Sequence, residues 1–298
     1  MATVTVGFLR RSMMGRAVRV FLGESKSLAG VLVWGGIAIV LFFVFIAVFA
    51  PWVAPFDPNA TVETTALPPS STHWFGTNRL GQDILSRVIW GARIPLTVVA
   101  LSAAIALAVG APVGLLSGFY GGALDRFLVL VMDSIYAFPG LLLAIVVAAV
   151  IGPGVVNVSL VIAFVYAPTY FRVIRNHVAS VKEQLFVEAA EALALSRTTV
   201  LSRYILPSVA QSIPVIFSVS AADAILTQAG LSFLGLGLPV DIPDWGLEVS
   251  RYAGLIREMW WGVFFPGLMI IILTTALAFI SEGLNDILNP LLRRRETR

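Results

Sequence analysis

The feature that most constrains this chain is a series of apolar runs, each long enough to cross a lipid bilayer. They lie near Leu28–Ala50, Pro95–Leu116, Phe127–Ile151, Val155–Phe171, Ile205–Leu234 and Gly262–Ile280. A helix needs roughly 20 residues to cross the hydrocarbon region, and a backbone in lipid must satisfy its own hydrogen bonds. The runs therefore predict an all-α membrane protein with six transmembrane helices and both termini on one side. Hydrophobic residues make up 58% of the 298 and charged residues 12%, with a mean hydropathy of +0.91, which excludes an ordinary soluble domain. The first run follows a basic segment, but it is too long for a signal peptide, and Phe49-Ala50-Pro51-Trp52 lacks a small-x-small cleavage site.

The net charge of +3 and pI near 9.5 could suggest nucleic acid. The basic residues, however, sit at the ends of apolar spans instead of forming a patch, so membrane lipid is the partner they fit. With the N-terminus inside, fifteen Lys and Arg fall on the inner side and five on the outer. That bias follows the positive-inside rule and predicts cytoplasmic termini.

Catalytic hardware is sparse. There are no cysteines and only two histidines, His73 and His177, which argues against thiolate or histidine metal sites. A phosphate-binding loop needs a glycine-rich turn followed by Lys and a hydroxyl residue. Lys26 and Lys182 both lack that setting, so the chain cannot hydrolyse ATP unaided. Neither histidine is placed to meet an intramembrane serine in a hydrolase site. The spans also lack the inverted pair of interrupted helices typical of many secondary transporters.

Polar groups within the spans mark where function would reside. The third span carries Asp133 and the break Phe138-Pro139-Gly140, which predicts a kink against a pathway. The fifth is the most polar, with Asp223 and Gln228 as candidates to line that pathway; a carboxyl that only bonds a neighbouring helix is the other reading of Asp223. In the outer loop, Ile84, Leu85, Val88 and Ile89 recur at helical spacing opposite Gln82, Asp83 and Arg87. This predicts a short helix on the outer membrane surface, serving as an anchor or as a receiving rim.

The remaining stretch runs from Val187 through Glu188-Ala189-Ala190 and Ala194 to Ile205-Leu206-Pro207. Leu185, Ala189, Ala192 and Leu193 share one helical face and Glu188 and Glu191 another; Val200, Leu201, Tyr204 and Ile205 repeat the pattern after Ser196. Two short amphipathic helices with a bend between them follow. Small residues allow close approach by a partner, while an interfacial helix without a partner has the same pattern.

These residues resemble the EAA motif of ABC-transporter permeases: Glu188-Ala189-Ala190, then Ala194 where the family has glycine, then Ile205-Leu206-Pro207. His73 through Asp83, Ser86-Arg87 and Gly91-Ala92-Arg93 resemble the outer-loop signature of the C-type permease subunit of dipeptide and oligopeptide importers. That family usually has Arg at Gln82 and Ser at Pro95. Gly118-Phe119-Tyr120-Gly121-Gly122, Asp125, Asp133, Ala137-Phe138-Pro139, Ser232-Phe233-Leu234-Gly235-Leu236-Gly237, Pro243-Asp244-Trp245-Gly246 and Trp260-Trp261 extend the likeness from Leu28 to Pro290.

The resemblance implies a type I importer permease fold and a non-catalytic subunit of the inner (plasma) membrane. It would pair with a B-type permease, dock two cytoplasmic ATPase subunits that hold ATP and Mg, and receive peptide from an extracytoplasmic binding protein. Glu188, Ala189, Ala190, Ala194, Ile205, Leu206 and Pro207 would then form the ATPase-coupling helix near 183–206. The expected division is a basic cytoplasmic segment 1–27, a first helix and outer loop 28–94, a five-helix core 95–290 and a basic tail 291–298. An ion-coupled secondary transporter using Asp133 or Asp223, or a membrane scaffold, are the competing classes.

Overall fold

The computed structural model describes residues 27–61 and 65–288; the basic segment up to residue 26 and the tail 291–298 lie outside the described residues. The protein is helical, and the described residues add only an isolated bridge between Thr77 and Asp83. Helix α1 (Leu28–Val48) starts at Ser27, whose Oγ accepts from the Gly30 N–H at 3.1 Å. The outer loop then leads to α2 (Ile84–Gly91), α3 (Arg93–Tyr120), the pair α4 (Gly122–Tyr136) and α5 (Gly140–Ile151), and α6 (Val155–Lys182). After these come α7 (Leu185–Ala192), short helical turns from Arg197 to Ser212, α8 (Ile213–Phe233), α9 (Trp245–Ala253) and α10 (Trp260–Leu288). Among the described residues, five helical stretches are long and apolar enough to cross a membrane, and α4–α5 makes a sixth if counted as one span.

That sixth span departs from a simple kink. Its halves meet at 85°; the break itself is local, since Pro139 has no N–H to continue the helix and adopts an extended ψ of 123° before Gly140 starts α5. Proline is accommodated differently at Pro95, the third residue of α3, where backbone N–H groups have no intrahelical acceptor to lose.

Close helix approach organises the bundle. Gly110, Gly114 and Gly118 lie four residues apart on α3, and a Cβ at each would sit 2.6, 2.5 and 2.7 Å from the carbonyl oxygens of Ala167, Phe171 and Arg175 on α6. Bare backbone thus brings α3 against α6, the packing that lipid favours where apolar burial supplies little drive. Gly36 of α1 and Gly283 of α10 do the same for the terminal helices, facing Ala276 O and Ala29 O at 2.5 Å. Helix α8 runs between these layers and touches α3, α5, α6, α9 and α10.

The expectation of α2 on the membrane surface is corrected: Ile84, Ser86, Arg87 and Val88 are all buried, so both faces of the helix are covered. Asp83 caps α2, its Oδ2 accepting from the Ser86 N–H at 2.8 Å and Oγ at 2.7 Å, while its Oδ1 lies 2.9 Å from His73 Nδ1. Helix α9 folds onto the opposite side, where the Trp245 indole donates to Val88 O at 2.9 Å. Gly91 leaves room for that indole, with Trp245 atoms 2.9 Å from where a Cβ would stand. The loop and α9 together form a cap over one end of the bundle.

Candidate functional site

Helix α7 is short, and its end follows from backbone geometry. The Ala194 N–H donates to Glu191 O at 2.8 Å and the Leu195 N–H to Ala190 O at 3.3 Å, the paired bonds of a Schellman termination. Such a turn puts the residue after the cap in the left-handed region, and Ala194 has φ +54°. A Cβ there is strained, which is the physical reason for glycine at this point of the motif.

Val187 and Ala190 bury one face of α7 among Val178, Val181, Val200 and Ile205. The face expected to be apolar, Leu185, Ala189, Ala192 and Leu193, points away from the chain, with Leu185 81% and Leu193 74% exposed. Glu188 and Glu191 are also exposed. The seven motif residues therefore divide: Ala190 and Ile205 are internal anchors, whereas Glu188, Ala189, Ala194, Leu206 and Pro207 lie on the surface. After the bend, Ser196 caps the next turn by accepting from the Thr199 N–H at 3.3 Å. The chain widens to a π turn over Leu201–Ile205, closed by the Leu206 N–H on Leu201 O. This wide turn directly precedes Pro207, whose ring cannot follow a regular helical turn without clashing.

Two ion pairs fix α4 to α6. Asp125 receives both Nε and Nη2 of Arg175 at 2.6 Å and the Ser117 hydroxyl at 2.5 Å. Asp133 receives Arg172 Nη2 at 2.7 Å, and that guanidinium lies 4.0 Å over the Tyr136 ring. Even so, α4 has no buried residue, and Arg126, Val129, Leu130, Asp133, Ser134 and Ala137 line an open groove of about 480 Å³.

The two candidates on α8 have unlike surroundings. Gln228 is buried at the capped end, its Nε2 donating to Asp244 Oδ2 at 2.7 Å and Ser232 Oγ at 3.0 Å. Burial pushes the Asp244 carboxyl above the ordinary carboxylate range, although it also caps α9 by accepting from the Leu247 N–H at 2.9 Å. Asp223 is exposed and has no ion pair among the described residues. The structure thus joins Gln228 to the cap and leaves Asp223 open.

Sequence reasoning missed Glu248. It receives Arg87 Nε at 2.7 Å and Arg251 Nη1 at 3.0 Å, and no local pattern marks it. Its only signal is a carboxylate beside Trp245 on a short amphipathic helix.

The geometry can be set beside known proteins. The model of the family described as binding-protein-dependent transport system inner membrane component matches residues 110–294, and that of the N-terminal TM domain of oligopeptide transport permease C matches residues 31–69. The chain is 36% identical over 259 residues to the dipeptide transport system permease protein DppC of Alkalihalophilus pseudofirmus, covering 87% of this chain and 85% of that protein. It is 37% identical over 256 residues to the glutathione transport system permease protein GsiD of Escherichia coli, covering 85% of this chain and 84% of the other. GsiD of Pectobacterium atrosepticum is 36% identical over 256 residues, with 85% of each chain covered.

Proposed function

This chain belongs to the binding-protein-dependent transport system inner membrane component family, and from that membership we propose that it is a permease subunit of an ATP-driven ABC importer for dipeptides and oligopeptides. It forms half of the translocation pathway beside a B-type permease, in the inner membrane with both termini cytoplasmic. An extracytoplasmic binding protein delivers peptide. Two cytoplasmic ATPase subunits carry ATP and Mg, and this chain itself is not catalytic. Segments 1–27 and 291–298 are cytoplasmic, 28–94 hold the first helix and outer loop, and 95–290 form the core.

The observation that carries the reading is the outward apolar face of α7. Each of Leu185 and Leu193 gains about 1.5–3 kcal/mol on full burial, a contribution to docking that a partner shaped to the small residues between them would collect. Val187 and Ala190 tie α7 into the base of α6 and the start of the segment leading to α8. A push on α7 therefore reaches α6, a helix about 42 Å long at 1.5 Å per residue, and closure of the ATPase pair is transmitted as rigid-body tilting.

Ala190 is too buried to report docking, so Ala189 is the position to test. In an assembled, active complex, Ala189→Cys should crosslink to a cysteine on the ATPase subunit and Ala190→Cys should not. An active complex in which Ala189→Cys gives no crosslink sinks the docking role.

A further inference from the structure

We propose that Asp223 is a recognition point within the pathway for the α-ammonium group of a passing peptide, an inference that rests on the peptide-importer reading. Asp223 is the eleventh residue of the 21 in α8, so by helical rise it stands about 15 Å from either end of that helix. It is the one charged side chain in that helix. On one side of α8, Ala221, Ala224, Ile225 and Gln228 are buried in the bundle. Val219, Asp223 and Leu226, spaced by four and three residues, are exposed on the other, so one continuous face is left uncovered by this chain.

The contrast with the other carboxylates gives that exposure its meaning. Asp125 and Asp133 each hold an arginine, whereas Asp223 holds no cation among the described residues. On the neighbouring α6, the Tyr166 hydroxyl is hydrogen-bonded to Thr227 at 2.9 Å. A carboxylate at this depth is costly against lipid and is retained facing water, a cation or a partner. Val219 and Leu226 flank it one turn away on each side and supply no competing polar group. A lone charge between apolar neighbours makes a single charge-assisted contact to a cation, strong enough to orient it and weak enough to release it.

The chain has no cysteine, so Asp223→Cys gives this subunit a single thiol. In the full complex in proteoliposomes, a water-soluble maleimide should label that thiol, and saturating Ala-Ala dipeptide with its binding protein should slow labelling. Uptake of Ala-Ala should fall about tenfold with Asp223→Asn, a loss of one charge-assisted contact. Asp223→Glu should recover most of it. An assembled complex whose thiol stays unlabelled, uptake unchanged in Asp223→Asn, or failure of the substituted subunits to assemble would each overturn the proposal, the last by marking a subunit contact. A wild-type complex that takes up no dipeptide overturns the peptide reading itself, which is distinguishable from wild-type uptake that the substitution leaves unchanged.

Discussion

Arg87 and Glu248, 161 positions apart, form an ion pair at 2.7 Å with side chains only 1% and 3% exposed. It joins the outer loop to α9, and Arg87 Nη1 also donates to Pro58 O at 2.9 Å and Asn59 Oδ1 at 3.1 Å. Removing Glu248 strands the Arg87 guanidinium away from water, which costs about 3–5 kcal/mol, whereas removing Arg87 leaves Glu248 paired with Arg251 but takes a large buried side chain out of the loop contact. Arg87→Ala and Glu248→Ala should each lower the thermal unfolding midpoint of the detergent-solubilised complex sharply. The double variant Arg87→Met with Glu248→Leu should be closer to wild type. A loss in the double variant equal to the sum of the losses in Arg87→Met and Glu248→Leu alone would mean the two residues act independently.

Ala194 offers the opposite sign. Its φ of +54° puts an alanine where a left-handed conformation costs about 1–2 kcal/mol, and glycine adopts it without a Cβ clash. Ala194→Gly should therefore stabilise the subunit by about 1 kcal/mol, less the greater freedom glycine has in the unfolded chain. Ala194→Val should destabilise it, because a β-branched side chain fits that conformation worse still. Unfolding midpoints of the three proteins, ordered Gly, Ala, Val, are the check.

How much of this was legible beforehand depends on whether the deciding force acts along the chain or across it. The spans were readable because lipid imposes its length on each helix separately, and the departure at Ala194 because the resembled motif has glycine there; the helix cap that explains it is seen only in the structure. The break at Phe138-Pro139-Gly140 was visible, but its 85° angle depends on what α4 and α5 pack against. Gly110, Gly114 and Gly118 have readable spacing, yet only the approach of α6 gives it meaning. On α7, apolar periodicity identified two faces without saying which turns inward. Val187 and Ala190 win because Val178, Val181 and Ile205 meet them, leaving the leucines outside. Arg87 was assigned to a solvated face for the same reason: its partner lies far along the chain.

Asp244 carries a pH signature. Burial raises its carboxyl pKa above the ordinary value, so the folded protein holds that proton more tightly than the unfolded chain. Its contribution favours the fold in acid and is lost as pH climbs from the unfolded value toward the folded one. Asp244→Asn cannot ionise and should flatten that dependence. Unfolding midpoints at about pH 3 and about pH 7, on either side of the ordinary carboxylate range, should differ less in Asp244→Asn than in the parent. An unchanged difference would remove Asp244 as its source.

Orientation can be argued from the two ends of the bundle. Arg172, Arg175 and Lys182 gather on the last turns of α6 beside α7, and Lys182 Nζ donates to Phe119 O at 2.9 Å near the end of α3. The opposite end carries the cap, with Trp245 on α9 and Trp260 and Trp261 at the start of α10. The indoles suit either interface, whereas the excess of Lys and Arg on the α7 side, fifteen against five, is the asymmetry expected when that end is cytoplasmic. A reporter fused after Ser196 should therefore read cytoplasmic, and one inserted within residues 59–72 should read outside. The reverse pattern would turn α7 away from any cytoplasmic ATPase and remove the basis for coupling through Glu188 and Ala189.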